Sequence, residues 1–262
     1  MSRHRADGRP LITSSLGITS VAFSPDGRTV ATGGDDDTAR LWNAADHRRL
    51  GAPLSIGSGA VNSVAFSPDG RVLVTGGDHG DLRLWDVARR RKRGRPFQRY
   101  PDSGISAVAF SPDGSVLATG DRGGQLRLWD VTSHHQLGLP MGDFLSVDAL
   151  DFSPDGRTLA VAYWDHATRL WDVAGHQQLA EFKDTGIVSG LAFSPNGRTL
   201  ATADTDQLRL WDVQHQRALG RIRSGAVANP ACVAFSPDGR LVATGSGGDD
   251  GAVQLWDVNA FR

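Results

Sequence analysis

VAFSPDGR, residues 21–28, decides how this chain folds, because it recurs. It returns as VAFSPDGR at 64–71, VAFSPDGS at 108–115, LDFSPDGR at 150–157, LAFSPNGR at 191–198 and VAFSPDGR at 233–240. The phenylalanines Phe23, Phe66, Phe110, Phe152, Phe193 and Phe235 follow one another at intervals of 41 to 44 residues. In each copy apolar and small residues run up to Ser-Pro-Asp-Gly and resume beyond it. Proline presets φ for the first central turn position, aspartate suits the next, and glycine accepts the left-handed conformation that closes a hairpin. A second anchor follows at Trp42, Trp85, Trp129, Trp171, Trp211 and Trp256. Five residues before these stand Asp37, Gly80, Gly124, His166, Asp206 and Gly251, all residue types that tolerate positive φ, so a second turn is expected there. A segment such as LGAPLSI, 50–56, reads as a fourth strand, and no stretch has helical periodicity.

Six such units resemble WD repeats, the four-stranded blades of a β-propeller, in which a period of about 40 to 45 residues ends in Trp-Asp. The resemblance implies an all-β chain forming one propeller over 1–262, with repeat cores about 18–43, 61–87, 105–131, 147–173, 188–213 and 230–258. Six blades are expected, with residues 8–15 supplying an outer strand that completes the last blade; a fragment of a seven-bladed ring is the alternative. Two departures bear on this. The family's Gly-His before each first strand is absent, and its turn aspartate persists only as Asp36, Asp165 and Asp250, with His79, Gly123 and Thr205 in the other units. The family's hydrogen-bonded His-Ser/Thr-Trp-Asp network is therefore expected to be incomplete, leaving more of the stability to packing.

Composition is ordinary for a globular chain, with 39% hydrophobic residues, 22% charged and a net charge of -1. There is no global pull toward nucleic acid or membrane. No apolar run is long enough to cross a bilayer, the first residues lack a secretory apolar region, and a cytoplasmic protein is expected. The single cysteine, Cys232, cannot form an intramolecular disulfide and reads as a small buried strand residue. Metalloprotease, phosphate-loop and paired-cysteine motifs are missing. PDSG at 101–104 has no partner histidine, and adjacent His134 and His135 read as a solvated loop. No catalytic residue, metal or cofactor is expected.

Charge is instead sorted by loop. Turns between second and third strands read GDDDT (34–38), GDHGD (77–81), DRGG (121–124), WDHA (164–167), DTDQ (204–207) and GGDDG (247–251), which makes an acidic rim. Turns between third and fourth strands include DHRR (46–49), ARRRKRGR (88–95) and HQR (215–217), a basic set joined by Arg3 and Arg5. Within it Arg89, Arg90, Arg91, Lys92, Arg93 and Arg95 form a candidate anion patch, or a solvated loop. The innermost strands carry acids only at Asp148 and Asp151, which disfavours an active site in a central channel.

One tryptophan is out of step. Trp164 occupies the turn position held elsewhere by Asp35, Asp78, Arg122, Asp204 or Asp249, and it is expected either to pack on Phe144 or to anchor a partner. The sequence thus points to a non-catalytic, monomeric interaction scaffold. It would bind a basic peptide or protein on the acidic rim through Trp164, His79, Arg122, Phe144, Asp37 and Asp206. The alternatives are a ligand-binding or enzymatic channel, and a regulatory module of a larger protein.

Overall fold

The Ser-Pro-Asp-Gly tetrapeptides close hairpins through one repeated network, seen in a computed structural model that describes residues 17–57, 59–97, 103–142, 145–205, 207–223, 230–246 and 253–261. In the first copy the Ser24 hydroxyl donates to the Asp26 carboxylate (2.6 Å) and accepts the Thr29 amide (2.9 Å), while Asp26 also accepts the Arg28 amide (3.0 Å). Gly27 closes the turn at a φ of 68°. The serine bond recurs at Ser67–Asp69, Ser111–Asp113, Ser153–Asp155 and Ser236–Asp238, and Ser194 makes it to Asn196. Because these donors favour the ionised form, the serine hydroxyl first among them, all five carboxyls are held below the usual aspartate range.

The chain divides into two compact units, Met1–Val108 and Ala109–Arg262. The first contains one antiparallel sheet of β1 (Ile18–Phe23), β2 (Thr29–Gly34), β3 (Thr38–Asn43) and β4 (Leu54–Ser55), and another of β5 (Val61–Phe66), β6 (Val72–Gly77), β7 (Leu82–Asp86) and β8 (Arg91–Arg93). β9 (Ile105–Phe110) spans the boundary and belongs to a sheet with β10 (Val116–Asp121), β11 (Leu126–Asp130) and β12 (Gln136–Met141). The second unit continues with β13 (Val147–Phe152), β14 (Thr158–Tyr163), β15 (Ala167–Asp172) and β16 (Gln177–Lys183), then β17 (Val188–Phe193), β18 (Thr199–Asp204), β19 (Gln207–Asp212) and β20 (Arg217–Arg223). The sixth sheet has three strands among the described residues, β21 (Pro230–Phe235), β22 (Leu241–Ser246) and β23 (Val253–Asp257). The fold class is the expected one: all-β, in six blade sheets whose strands pair in chain order. The outer strand expected at 8–15 lies outside the described residues.

Three local expectations are corrected. Of LGAPLSI only Leu54 and Ser55 pair as a strand, because Gly51 turns at a φ of 79° and Pro53 has no N–H to donate. The ARRRKRGR run is not all loop: Arg91, Lys92 and Arg93 pair with Asp86, Trp85 and Leu84, and the turn is taken by Arg89 and Arg90. Cys232 is exposed rather than buried, since the residues beside it are Gly190 and Gly245, which carry no side chain to cover it. The second-turn residues Asp37, Gly80, Gly124 and His166 do take positive φ, at 55°, 68°, 82° and 65°. Asp206 and Gly251 lie outside the described residues. A third series of positive-φ residues stands five after the tryptophan, at His47, Arg90, His134, His176 and Gln216.

Packing joins each sheet to the next within a unit. In the first unit Ala31, Leu41 and Leu54 of the first sheet meet Val61, Val64, Leu73 and Trp85 of the second, with Phe66 packed against them. In the second unit Ala160, Leu170 and Phe182 meet Val188, Leu191, Phe193 and Trp211, and the Phe182 and Trp211 rings stack at 4.9 Å. Inner strands are also laced together. The Val64 amide donates to Ser20 Oγ (3.1 Å), the Val108 amide to Ser63 Oγ (3.2 Å), and the Phe193 amide to Asp151 Oδ2 (2.9 Å).

Half of the family's side-chain network survives. The indoles of Trp42, Trp85, Trp129, Trp211 and Trp256 each donate at 3.0 Å to Thr32, Thr75, Thr119, Thr202 and Thr244. The fourth sheet breaks the series. Val161 stands opposite Arg169, as Thr32 stands opposite Arg40, and the buried Trp171 indole N–H has no acceptor among the described residues. A buried unsatisfied donor costs about 1–3 kcal/mol. Val161→Thr therefore restores a bond with almost no change of volume, and thermal unfolding of the variant should show a gain of about 1 kcal/mol; an unchanged or lower melting temperature would refute the assignment.

Candidate functional site

The turn aspartates on the second-to-third strand side do not stand free. In the first five sheets the third strand carries an arginine two residues before the tryptophan, where the sixth has Gln254, and in the first four its guanidinium reaches back to the turn. Arg40 holds Asp36 at 2.6 Å in the first sheet, and Arg83 lies 3.9 Å from Asp81 in the second. Arg127 holds Asp121 at 2.5 Å in the third, and Arg169 holds Asp165 at 2.5 Å in the fourth. The fifth blade has Thr205 in place of the family's turn aspartate, and there Arg209 instead donates to the Lys183 carbonyl (2.9 Å). Much of the acidic charge read from sequence is thus compensated by arginines that are themselves nearly buried. What stays exposed in these turns is more varied. Asp35 and His79 are exposed in the first unit, as are Arg122 and Trp164 in the second, while Asp37 is half-buried. Phe144 and Asp206 lie outside the described residues.

Trp164 is 61% exposed, so its indole faces solvent. Its backbone is ordinary: the Trp164 amide donates to the Ser146 carbonyl (3.0 Å), as Asp35 donates to Gly17 and Asp78 to Ala60. The side chain is where this turn differs. Asp78 uses its carboxylate to accept the Ala60 amide and the Asn62 side chain, ties that an indole cannot make. Beneath Trp164 the turn is stiff. Tyr163 is fully buried where the first two sheets have Gly34 and Gly77, and the Arg169 guanidinium lies 4.9 Å from its ring. Arg169 is fixed in turn by Asp165 and by Glu181 at 3.4 Å. Space for the phenol is left by Gly142, at a φ of 113°, where a Cβ would collide with the Gly124 carbonyl. Leu145 adds a second exposed apolar side chain next to Ser146. Trp164 is therefore an exposed aromatic on an ordered base.

The two inner-strand acids have different fates. Asp151 is half-buried and its carboxylate accepts the Phe193 amide; desolvation pushes its carboxyl up to about 6. Asp148 is half-buried, and desolvation likewise raises it to about 6. A third such group, Asp184, was not singled out in the sequence. Its carboxylate accepts Thr202 Oγ1 (2.8 Å) and Thr168 Oγ1 (3.3 Å), so the Trp211 indole, Thr202 and Asp184 form a relay that substitutes for the missing histidine. Burial raises Asp184 to about 6 as well.

The basic turns resolve similarly. Arg89 is paired with Asp86 at 2.9 Å, Arg90 is the positive-φ turn residue, and Arg91, Lys92 and Arg93 are exposed on β8. Arg95 is exposed beyond it. His134 serves as a turn residue at a φ of 62°.

The six repeated sheets match a sequence family repeat by repeat. The profile of the WD domain, G-beta repeat family matches at 8–43, 51–86, 94–130, 141–172, 176–212 and 223–257. The chain belongs to that family. WD-repeat propellers generally mediate protein interactions and are typically non-catalytic. No match was found among curated proteins. Among the described residues no helix is long and apolar enough to cross a membrane, which does not bear on crossing by strands.

The carboxyl shifts fix a pH dependence. Asp148, Asp151 and Asp184 rise from 3.8 to about 6, so their contribution is fullest below about 4 and is lost as pH rises through 6. The turn aspartates are shifted down, so theirs is full above 3.8 and lost as pH falls. Stability measured by denaturant unfolding should peak near pH 4 and decline as pH rises through about 6, and Asp151→Asn should flatten that decline.

Proposed function

We propose that this protein is a non-catalytic docking scaffold whose partner-binding surface is built from the second-to-third strand turns, with Trp164 as its anchor. The observation that carries this reading is the exposure of Trp164 above buried Tyr163 and Arg169, the latter paired to Asp165, in a turn whose backbone needs no tryptophan. Leaving a large aromatic in water is unfavourable, and exposed aromatics set in rigid surroundings are the side chains that dominate binding energies. Rigidity matters because an ordered anchor loses little freedom on binding.

The partner is a peptide or protein, and its chemistry is basic. Arg122, His79, Asp37, Asp206 and Phe144 complete the proposed contact set, with the exposed Asp35 adding charge in the first unit. Compensation of Asp36, Asp81, Asp121 and Asp165 by arginine lowers the net acidity of these turns. Complementary charge then selects among partners and steers them, while Trp164 supplies affinity. The protein acts in the cytoplasm as a monomer in this reading.

The test compares two tryptophans. Trp164→Ala should leave the melting temperature within about 1 °C, because an exposed side chain contributes little to folding. Its partners should be lost by tenfold or more in affinity capture read by mass spectrometry. Trp171→Ala removes a buried indole and should destabilise by about 3–5 kcal/mol. Capture by the Trp164→Ala variant equal to that of the unaltered protein would sink the proposal. In the unaltered protein, iodide or acrylamide should quench one tryptophan far more readily than the rest.

A further inference from the structure

β8 is the outermost strand of the second sheet and pairs on one side only, Arg91 with Asp86, Lys92 with Trp85 and Arg93 with Leu84. Its other side presents backbone N–H and C=O groups with no strand partner among the described residues. All three side chains are exposed. Strand alternation places Arg91 and Arg93 on one face about 7 Å apart, and Lys92 on the other. There the Lys92 ammonium lies 5.8 Å from the Trp85 ring centroid, which fixes the strand's orientation. The preceding turn adds Arg90, whose side chain covers Gly51 of the first sheet and so brings the exposed Arg49 to the same end of the unit.

Carboxylates at this end are already committed. Asp86 accepts the amide (2.7 Å) and guanidinium (2.9 Å) of Arg89, Asp69 accepts the Ser67 hydroxyl and the Arg71 amide, and Asp46 accepts the Arg48 amide. Arg49, Arg90, Arg91 and Arg93 make no ion pair among the described residues. The result is a short edge strand with open backbone groups on one side and exposed arginines along it, Arg91 and Arg93 feeling Asp86 and Asp69 without pairing with them.

We propose that β8 is a docking edge for an acidic, extended peptide segment, which adds to the sheet as a fifth strand and sets alternate carboxylates against Arg91 and Arg93. Cations on an edge strand block pairing with neutral or basic strands. The same cations favour a strand carrying the opposite charge at the facing positions. Arginine suits this role because its planar fork can hold a carboxylate through two parallel bonds. A nucleic acid would meet the cations but could not use the backbone edge. The surface is distinct from the Trp164 turn and does not depend on its function.

The proposal separates charge from backbone pairing, and so does its test. Fluorescence anisotropy with the full chain would compare a labelled peptide of alternating glutamate and threonine with three relatives: its lysine counterpart, the same glutamate peptide N-methylated on alternate amides, and a DNA duplex of equal charge. Binding of the glutamate peptide is expected to persist in Trp164→Ala, whereas any binding of the lysine peptide should be lost in that variant. N-methylation on the pairing edge should weaken it at least tenfold, and Arg91→Glu with Arg93→Glu should do the same while leaving the melting temperature unchanged. The charge-reversed variant should gain affinity for the lysine peptide. Equal binding of the N-methylated and parent peptides would overturn the proposal, as would tighter binding of the duplex or an unchanged affinity in the double variant. The N-methylation arm uses the unaltered protein, so it decides even if the double variant folds poorly.

Discussion

A buried indole that donates to a threonine on the neighbouring strand is the interaction on which each blade depends. The tryptophan lies on the third strand, the threonine on the second, and the ring packs in the apolar layer shared with an adjoining sheet. One side chain thus registers two strands and fills the space between two sheets. Its polar atom must be matched inside that layer, because an unmet N–H there is costly. Five blades meet this demand with threonine and the fourth does not, which makes Trp171 a site where the sequence departs from its own rule.

Much of the fold was legible because its signals are local. Ser-Pro-Asp-Gly carries its own turn chemistry, and a position that must take positive φ accepts few residue types, so Asp37, Gly80, Gly124 and His166 could be read from identity alone. Turns were expected around His47, Arg90, His134 and Gln216, but the positive φ of these residues and of His176 was missed for the converse reason. None is glycine, and only their fixed distance from the tryptophan betrays them. β8 was hidden by composition, since three consecutive cations resemble a solvated loop until cross-strand pairing is seen.

The candidate site was less legible than the fold. Exposure of Trp164 could be posed as a question but not answered, because the residue beneath it, Tyr163, gives no sign in sequence of being fully buried. Charge was misjudged in one respect. Arg40, Arg83, Arg127 and Arg169 look like surface residues in an alternating strand, yet their guanidinium groups lie against the turn aspartates. Counting acids in loops therefore overstated the field of that face. The strand position of Asp151 was read correctly, but it does not reveal that the carboxylate will be taken by the amide of Phe193.

The backbone of the Trp164 turn matches that of its counterparts at Asp35 and Asp78, down to the amide that each sends to the strand before it. The fold consequently tolerates an aspartate or a tryptophan at the same point without rearrangement. Such a position behaves like a socket, in which the side chain can be exchanged while the frame stays constant. Specificity in a molecule of this kind can change one socket at a time, and the counterparts at Asp35 and Asp78 serve as references for what the frame requires.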